Sequence, residues 1–198
     1  MTSICDDLAV TMGWTAARVA ATSLDDLSRP TPCSEWDVQA LLSHLVGGNI
    51  MYALGTQGVV ASADDLHGDL LKPDPTTAYQ LSADRALAGW RSADLDGTVT
   101  LTYGTMPASF SIRTHLMDHL LHGWDLAVAT GQSRDAPGHL VALVEKIVDE
   151  LPHEITDNPK VFATARSTPV GASRFDQLAA RCGRSISVGT SSLRVAGP

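Results

Sequence analysis

The sequence predicts a mostly α-helical protein: an antiparallel four-helix bundle with a short β-hairpin excursion and an extra C-terminal helix. Apolar residues recur at intervals of three and four over most of the chain. The strongly alternating stretch TVTLTYGTMPASFSI is short and lies mid-chain. A length of 198 residues suits one domain, so we expect a single domain over 1–185 and a loosely ordered Ser/Gly-rich tail over 186–198.

The first two helices are separated by the segment RPTPCSEWD. The first helix is predicted over residues 6–27, where an apolar stripe runs along one face. The two prolines of the segment cannot continue a helix. Ser34, with Asp37 three residues later, is the predicted N-cap of a second helix over residues 35–54.

The rest of the chain alternates helices with connections. Residues 57–74 are rich in Gly, Asp and Pro and predict an irregular connection, after which Thr76 or Thr77 caps a third helix that ends near Trp90. The alternating stretch predicts two strands around a Gly-Thr-Met-Pro turn. Gly131 is a predicted C-cap. Further helices are predicted over 111–130, 137–151 and 172–182.

Composition excludes several functional classes. The 22 acidic and 14 basic residues give a net charge of −8, whose field would repel nucleic acid. No apolar run has the roughly 18 residues of a membrane span, and the N-terminus carries acid where a secretory signal carries base. We therefore expect a cytoplasmic protein with no nucleic-acid or membrane partner.

The three cysteines are Cys5, Cys33 and Cys182. Their odd number and wide spacing predict neither a disulfide framework nor a cysteine zinc knuckle, so free thiols are expected. Cys33 precedes a helix start, where a thiolate is stabilised, and is a minor candidate for a nucleophile.

The segment HLMDHLLHGWDLA, residues 115–127, places four polar side chains on one side of a helix. At 3.6 residues per turn, His115, Asp118, His119 and His122 fall within an arc of roughly 100°. One interpretation is the solvated face of an amphipathic helix. The other is a metal site, because Asp118 and His122 are four residues apart and lie one above the other. Two other ligand pairs are alternatives: His119 with His122, and His115 with His119.

A metal site needs a third ligand from another helix, and His44 in LLSHLVGGN is the best candidate. Gly47 and Gly48 follow one turn later, and glycine inside a helix costs about 1 kcal/mol relative to alanine. The missing side chains therefore indicate either close helix packing or open space beside His44.

The remaining histidines and the aromatic residues of these segments have simpler interpretations. Trp36 and Trp124 are expected in the core, whereas Asp125 is a candidate to orient a ligand imidazole. The surface is expected for the histidines outside the two segments, His67, His139 and His153.

The motifs PTPCSEWDVQALLSHLVGGN and DHLLHGWDLAVATG resemble the mycothiol-dependent maleylpyruvate isomerase-like group of the DinB-like superfamily of metal-binding helix bundles. The segment ASRFDQLAARCGRSI is similar to the final helix and Gly-Arg ending of the compact actinobacterial members. The resemblance implies a DinB-like bundle with a divalent metal held by His44, Asp118 and His122. Zinc is the expected metal, with nickel, manganese or iron as alternatives.

The resemblance also implies an enzyme that activates a low-molecular-weight thiol such as mycothiol for addition to an electrophilic small molecule, as an S-transferase or an isomerase. His115 and His119 are two further imidazoles, and each has three alternative roles: proton carrier, ligand in place of Asp118, or solvated side chain. His119 is expected to be solvated, and His115 stays open as the candidate catalytic residue. Two alternatives are a non-enzymatic metal-stabilised binding or interaction bundle and a non-haem iron enzyme, which uses a similar ligand set. The sequence does not determine the oligomeric state, and a homodimer is one alternative.

Overall fold

Helices form most of the chain in the computed structural model, which describes residues 2–156, 158 and 162–186. The predicted tail residues 187–198 lie outside the described residues, and Ile186 packs against the core. The helices are α1 (Ile4–Ala20), α2 (Val38–Gly55), α3 (Ala63–His67), α4 (Pro75–Ser92), α5 (Ala108–Thr130), α6 (Gly138–Asp149), α7 (His153–Thr156) and α8 (Arg174–Arg181), and the strands are β1 (Thr98–Leu101) and β2 (Gly104–Pro107).

Four long helices build the bundle, as the sequence predicts. α1 packs against α4 and α5, and α2 packs against the same two helices. α6 lies against α5, and α8 lies against α6, which places the extra C-terminal helix on the outside of the bundle. Among the described residues no helix combines the length and apolarity needed to cross a membrane. The single domain over 1–185 stays a prediction.

Helix α5 is buried on nearly all sides, so its interpretation as an amphipathic helix with a solvated face is wrong. Leu116, Leu120, His115 and His119 are all 0% exposed. The physical reason is that α1, α2, α6 and both strands all pack against α5. At Gly123 an added Cβ would lie 2.4 Å from a ring atom of the α1 tryptophan. Glycine therefore permits the close approach of α1 and α5.

The helix boundaries near the first proline segment differ from the prediction. α1 ends at Ala20, and a separate 3₁₀ turn follows at Leu24–Asp26. The N-cap of α2 is Asp37, whose carboxylate accepts from the Ala40 amide at 2.8 Å, and not Ser34. The cap moves because the amide of Trp36 donates to the Cys33 carbonyl, which folds the predicted first turn of the helix into a loop.

Corrections also apply to α4 and the hairpin. Asp74 caps α4 instead of Thr76 or Thr77, because Pro75 takes the first helical position, where no amide donor is needed. The irregular connection before it contains the short helix α3. The segment predicted as the hairpin turn is strand β2 itself, paired antiparallel with β1. Gly131 ends α5 with a left-handed φ of 70°, as predicted.

Candidate metal centre

Three donor atoms predicted from the sequence converge between α2 and α5. Asp118 Oδ1 lies 3.3 Å from His44 Nε2 and 3.3 Å from His122 Nε2. One donor atom from each residue lies within 4.8 Å of the others. α2 supplies His44, and the spacing of one helical turn on α5 brings Asp118 and His122 to the same side. The arrangement offers two imidazole nitrogens and one carboxylate oxygen.

The distances fit a shared cation. Ligand atoms about 2.0–2.1 Å from a tetrahedral zinc ion are roughly 3.3 Å apart, which matches both measured separations. Direct charge-assisted hydrogen bonds between nitrogen and oxygen are shorter, about 2.7–2.9 Å. The Asp118 and His44 side chains are 31% and 36% exposed, so the donor group opens towards solvent and leaves room for a further ligand.

The electrostatics of the group also suit a cation. Burial would raise the pKa of Asp118, but the His44 and His122 imidazoles outweigh it and hold that pKa well below its usual value. Burial would lower the pKa of His122, but Asp118 outweighs it and raises that pKa well above its usual value. A divalent ion would take the place of the imidazole proton beside Asp118.

The far side of the His122 ring is held by Asp125, which is fully buried. His122 Nδ1 lies 2.9 Å from Asp125 Oδ2. When the ring is neutral, a proton on Nδ1 that is donated to this carboxylate would leave the Nε2 lone pair free to bind a cation beside Asp118. Burial would raise the pKa of Asp125, but Arg184 and His122 outweigh it and lower that pKa. The structure thus places Asp125 where the sequence indicated an orienting residue.

Two tryptophans of the motifs lie in different surroundings. Trp124 is fully buried and donates from its indole to Asp176 at 2.9 Å, as expected for a core residue. Trp36 is also a predicted core residue, but it is only partly buried and its ring packs against the candidate ligand imidazoles. Its ring centroid is 4.6 Å from that of His44 and 5.5 Å from that of His122. Trp36 therefore restricts how the two imidazoles can rotate.

His115 lies in the core and does not line the cavity described below. Its Nδ1 accepts from the Trp90 indole at 3.0 Å, and its Nε2 lies 3.0 Å from the amide oxygen of Asn49. Burial lowers the pKa of His115 well below its usual value, so the ring is neutral. Both nitrogens are engaged, and the role of proton carrier finds no support in this geometry.

His119 is buried, so the expectation that it is solvated is wrong. Burial lowers the pKa of His119 to about 4, and Asp118 opposes this only in part. Neither ring nitrogen has a hydrogen-bond partner of normal geometry in the part of the chain that the structure describes. The histidines expected at the surface are exposed there: His67, His139 and His153.

The candidate ligands lie in the wall of an open cavity of about 610 Å³. Residues before α2, including Cys33, Glu35 and Trp36, form one side of the cavity. Phe162, Arg166 and Arg184 from the C-terminal part form the other. Sequence reasoning gave Phe162 and Arg166 no role, and it noted Arg184 only as part of the Gly-Arg ending, because no spacing relates these residues to α5.

Gly183 brings Arg184 to this cavity. Its φ of +86° is in the left-handed region, and an added Cβ would lie 2.5 Å from the carbonyl oxygen of Ala163. The two glycines after His44 have milder surroundings. A Cβ at Gly47 would lie 3.3 Å from Leu70 of the α3–α4 connection, and a Cβ at Gly48 would meet nothing within 4 Å. Neither glycine is therefore needed for close contact with another helix of the bundle.

Comparison with known proteins gives a consistent result. A family model described as the mycothiol maleylpyruvate isomerase N-terminal domain matches residues 11–127, which include all three candidate ligands. Two uncharacterized proteins from two strains of Mycobacterium tuberculosis are each 32% identical over 176 residues, which cover 86% of this chain and 92% of the relative. No solved structure matches. The chain belongs to the family of the mycothiol maleylpyruvate isomerase N-terminal domain.

Proposed function

We propose that the protein is a divalent-metal-dependent enzyme that activates a low-molecular-weight thiol, such as mycothiol, for addition to an electrophilic small molecule. The observation that carries the proposal is the convergence of His44, Asp118 and His122 in the wall of an open cavity. Zinc is the proposed metal, with nickel, manganese or iron as alternatives. The cytoplasm, where such thiols stay reduced, is the proposed location.

The donor set indicates the chemistry. His44, Asp118 and His122 would leave coordination positions open on a divalent ion, which would lower the pKa of a bound thiol and polarise a carbonyl oxygen. In the addition, a sulfur–carbon bond forms as the carbon–carbon π bond of the acceptor breaks, and the thiol proton ends on the neighbouring carbon. If the adduct is retained, the reaction is S-transfer. If the thiol leaves again after rotation about the new single bond, the reaction is isomerisation.

The chain's own residues orient and enclose the reactants. Asp125 and Trp36 fix the orientation of the candidate ligand imidazoles. Phe162 contributes an apolar part of the cavity wall, which limits water near a reactive thiolate. Arg166 brings a positive charge to the same cavity and donates from Nε to the Gly183 carbonyl at 3.3 Å. These features suit a polar or anionic small molecule.

The cavity supports an enzyme over a non-enzymatic binding bundle. A closed or fully solvated donor group would favour a non-enzymatic binding bundle. Here an open cavity of about 610 Å³ lies within the range of small-molecule sites. The ligand set alone is shared with non-haem iron enzymes, but the thiol-dependent reaction agrees with the family to which the chain belongs.

Cobalt substitution offers a test that reports on the thiol directly. We expect mycothiol to produce a near-ultraviolet thiolate-to-cobalt charge-transfer band in the cobalt form of the Cys33→Ser variant, which removes the cavity thiol as a source of that band. The His44→Ala variant should give none. With an α,β-unsaturated acceptor, the same protein should then accelerate either the loss of free thiol, which indicates S-transfer, or the cis–trans conversion of the acceptor at constant free thiol, which indicates isomerisation. A cobalt protein whose spectrum is unchanged by mycothiol, glutathione or cysteine would contradict the proposal.

A further inference from the structure

A second group of donor atoms lies behind His122, on the side away from Asp118. Cys33 Sγ is 3.2 Å from Asp125 Oδ2 and 3.9 Å from His122 Nδ1. Asp125 Oδ2 is 2.9 Å from His122 Nδ1. The atoms lie within 4.8 Å of one another and combine sulfur, oxygen and nitrogen. We call these three residues the rear donor group.

The spacing of the rear donor group resembles that of metal ligands. Around a tetrahedral zinc ion, a sulfur at about 2.3 Å and a nitrogen at about 2.0–2.1 Å are roughly 3.5 Å apart, and nitrogen and oxygen ligands are roughly 3.3 Å apart. The separation of 3.9 Å between Cys33 Sγ and His122 Nδ1 is about 0.4 Å longer than the first value, whereas the 2.9 Å between Asp125 Oδ2 and His122 Nδ1 is that of a direct hydrogen bond, which a bound ion would replace. Since His122 would use Nε2 in one group and Nδ1 in the other, its ring stands between two donor groups.

Arg184 is a cation that contacts the rear donor group. One terminal nitrogen lies 3.0 Å from Asp125 Oδ2 and 4.0 Å from Cys33 Sγ. Its Nε lies 3.3 Å from Asp125 Oδ1. Arg184 is 7% exposed and Asp125 is 0% exposed, so the guanidinium and the carboxylate form a buried ion pair.

Charge explains what the guanidinium does there. The guanidinium of Arg184 and the carboxylate of Asp125 carry opposite charges and balance each other within the rear donor group. Without Arg184, the buried carboxylate loses the arginine counter-ion, which is strongly unfavourable. A divalent cation bound there would displace the proton of the Cys33 thiol and the proton of His122 Nδ1, and the thiolate and the carboxylate would together match its charge.

We propose that Arg184 closes the rear donor group to a metal ion and thereby restricts the protein to one ion, held by His44, Asp118 and His122. The inference rests on the proposed function for the position of that first ion. Arg184 also lies beyond residue 127, where the family match ends. The C-terminal segment, outside the matched region, therefore sets the number of metal ions that the site accepts.

The test is a cobalt titration of the full chain without an affinity tag, in the presence of a phosphine reductant. The wild type should take up one equivalent and show no thiolate-to-cobalt band. The Arg184→Met variant should take up two equivalents, a twofold rise, and show such a band. The double variant Arg184→Met/Cys33→Ser should lose the band. Arg184→Lys, which keeps the charge, should behave as the wild type.

Arg181→Met is the matched control, because Arg181 pairs with Asp149 on the outside of α8. It should bind one equivalent without the band. If Arg184→Met is unfolded, added cobalt should restore its fold through Cys33, and failure to do so would count against the proposal. One equivalent and no band in folded Arg184→Met would overturn it, as would a Cys33-dependent band in the wild type. A wild type that binds no cobalt would overturn the proposed function instead.

Discussion

Replacing His119 with leucine tests whether the His119 ring is buried, which the sequence did not predict. The wild-type ring is fully buried, with a pKa of about 4 against an ordinary value of 6.5. The unfolded chain therefore binds more protons than the folded chain between these values, so stability falls as the pH falls through this window. The difference of about 2.5 between the two pKa values corresponds to about 3.4 kcal/mol when the window is fully crossed.

Between pH 7 and pH 5 only part of the window is crossed, and this contribution is about 2 kcal/mol. Leucine has a similar volume and no ionisable group. We therefore expect the free energy of unfolding to fall by about 2 kcal/mol less in His119→Leu than in the wild type over this interval. At pH 7 it should also be more stable, by about 1–3 kcal/mol, because buried nitrogens without partners are removed.

The assay is urea unfolding of chelator-treated protein at both pH values, followed by circular dichroism. The exposed His67 provides the control variant His67→Gln, which should parallel the wild type. Parallel stability profiles for His119→Leu and the wild type would refute the reasoning, since they would mean that the His119 ring is solvated or hydrogen-bonded.

Three further predictions follow from packing and contacts at the site. Gly123→Ala should lower the free energy of unfolding by about 1–3 kcal/mol, because its Cβ would overlap α1. Gly13→Ala should raise the free energy of unfolding by about 1 kcal/mol, because the space around Gly13 is open. Chemical denaturation would measure both changes. Asp125→Asn should weaken zinc binding about 10- to 100-fold, because it weakens the acceptor that orients His122; competition with a chromogenic chelator would measure this, and unchanged affinity would argue against that orientation. Trp36→Phe should abolish most of the tryptophan quenching caused by bound cobalt, and full quenching in the variant would contradict the placement of this ring.

The sequence predicts most of the donor group because its key spacing is local. Asp118 and His122 are one helical turn apart, so the periodicity of α5 alone places them together. To place His44 beside them, one must know that α2 packs against α5, which the resemblance of the motifs implied. The helices themselves follow from apolar periodicity, but periodicity does not identify their caps. Ser34 and Asp37 are both favourable cap residues, and only the loop hydrogen bonds of Trp36 select Asp37.

Tertiary contacts were beyond the same reasoning. A histidine stripe opposite leucines has the pattern of a solvated face, and only the packing of neighbouring helices on both sides of α5 reveals that His119 is buried. The contact between Asp125 and Arg184 joins residues 59 positions apart, and no periodicity relates α5 to the segment after α8. Cys33 likewise reaches Asp125 only through the fold of the loop before α2.

The most direct test of the central claim is elemental analysis of protein purified without a histidine tag. The wild type should contain close to one equivalent of zinc or another divalent metal, and so should the exposed-histidine control His67→Ala. His44→Ala and Asp118→Ala should contain little or none. A wild type that is metal-free and rejects added zinc while keeping its fold, or a His44→Ala variant that retains its metal, would contradict the three-ligand site.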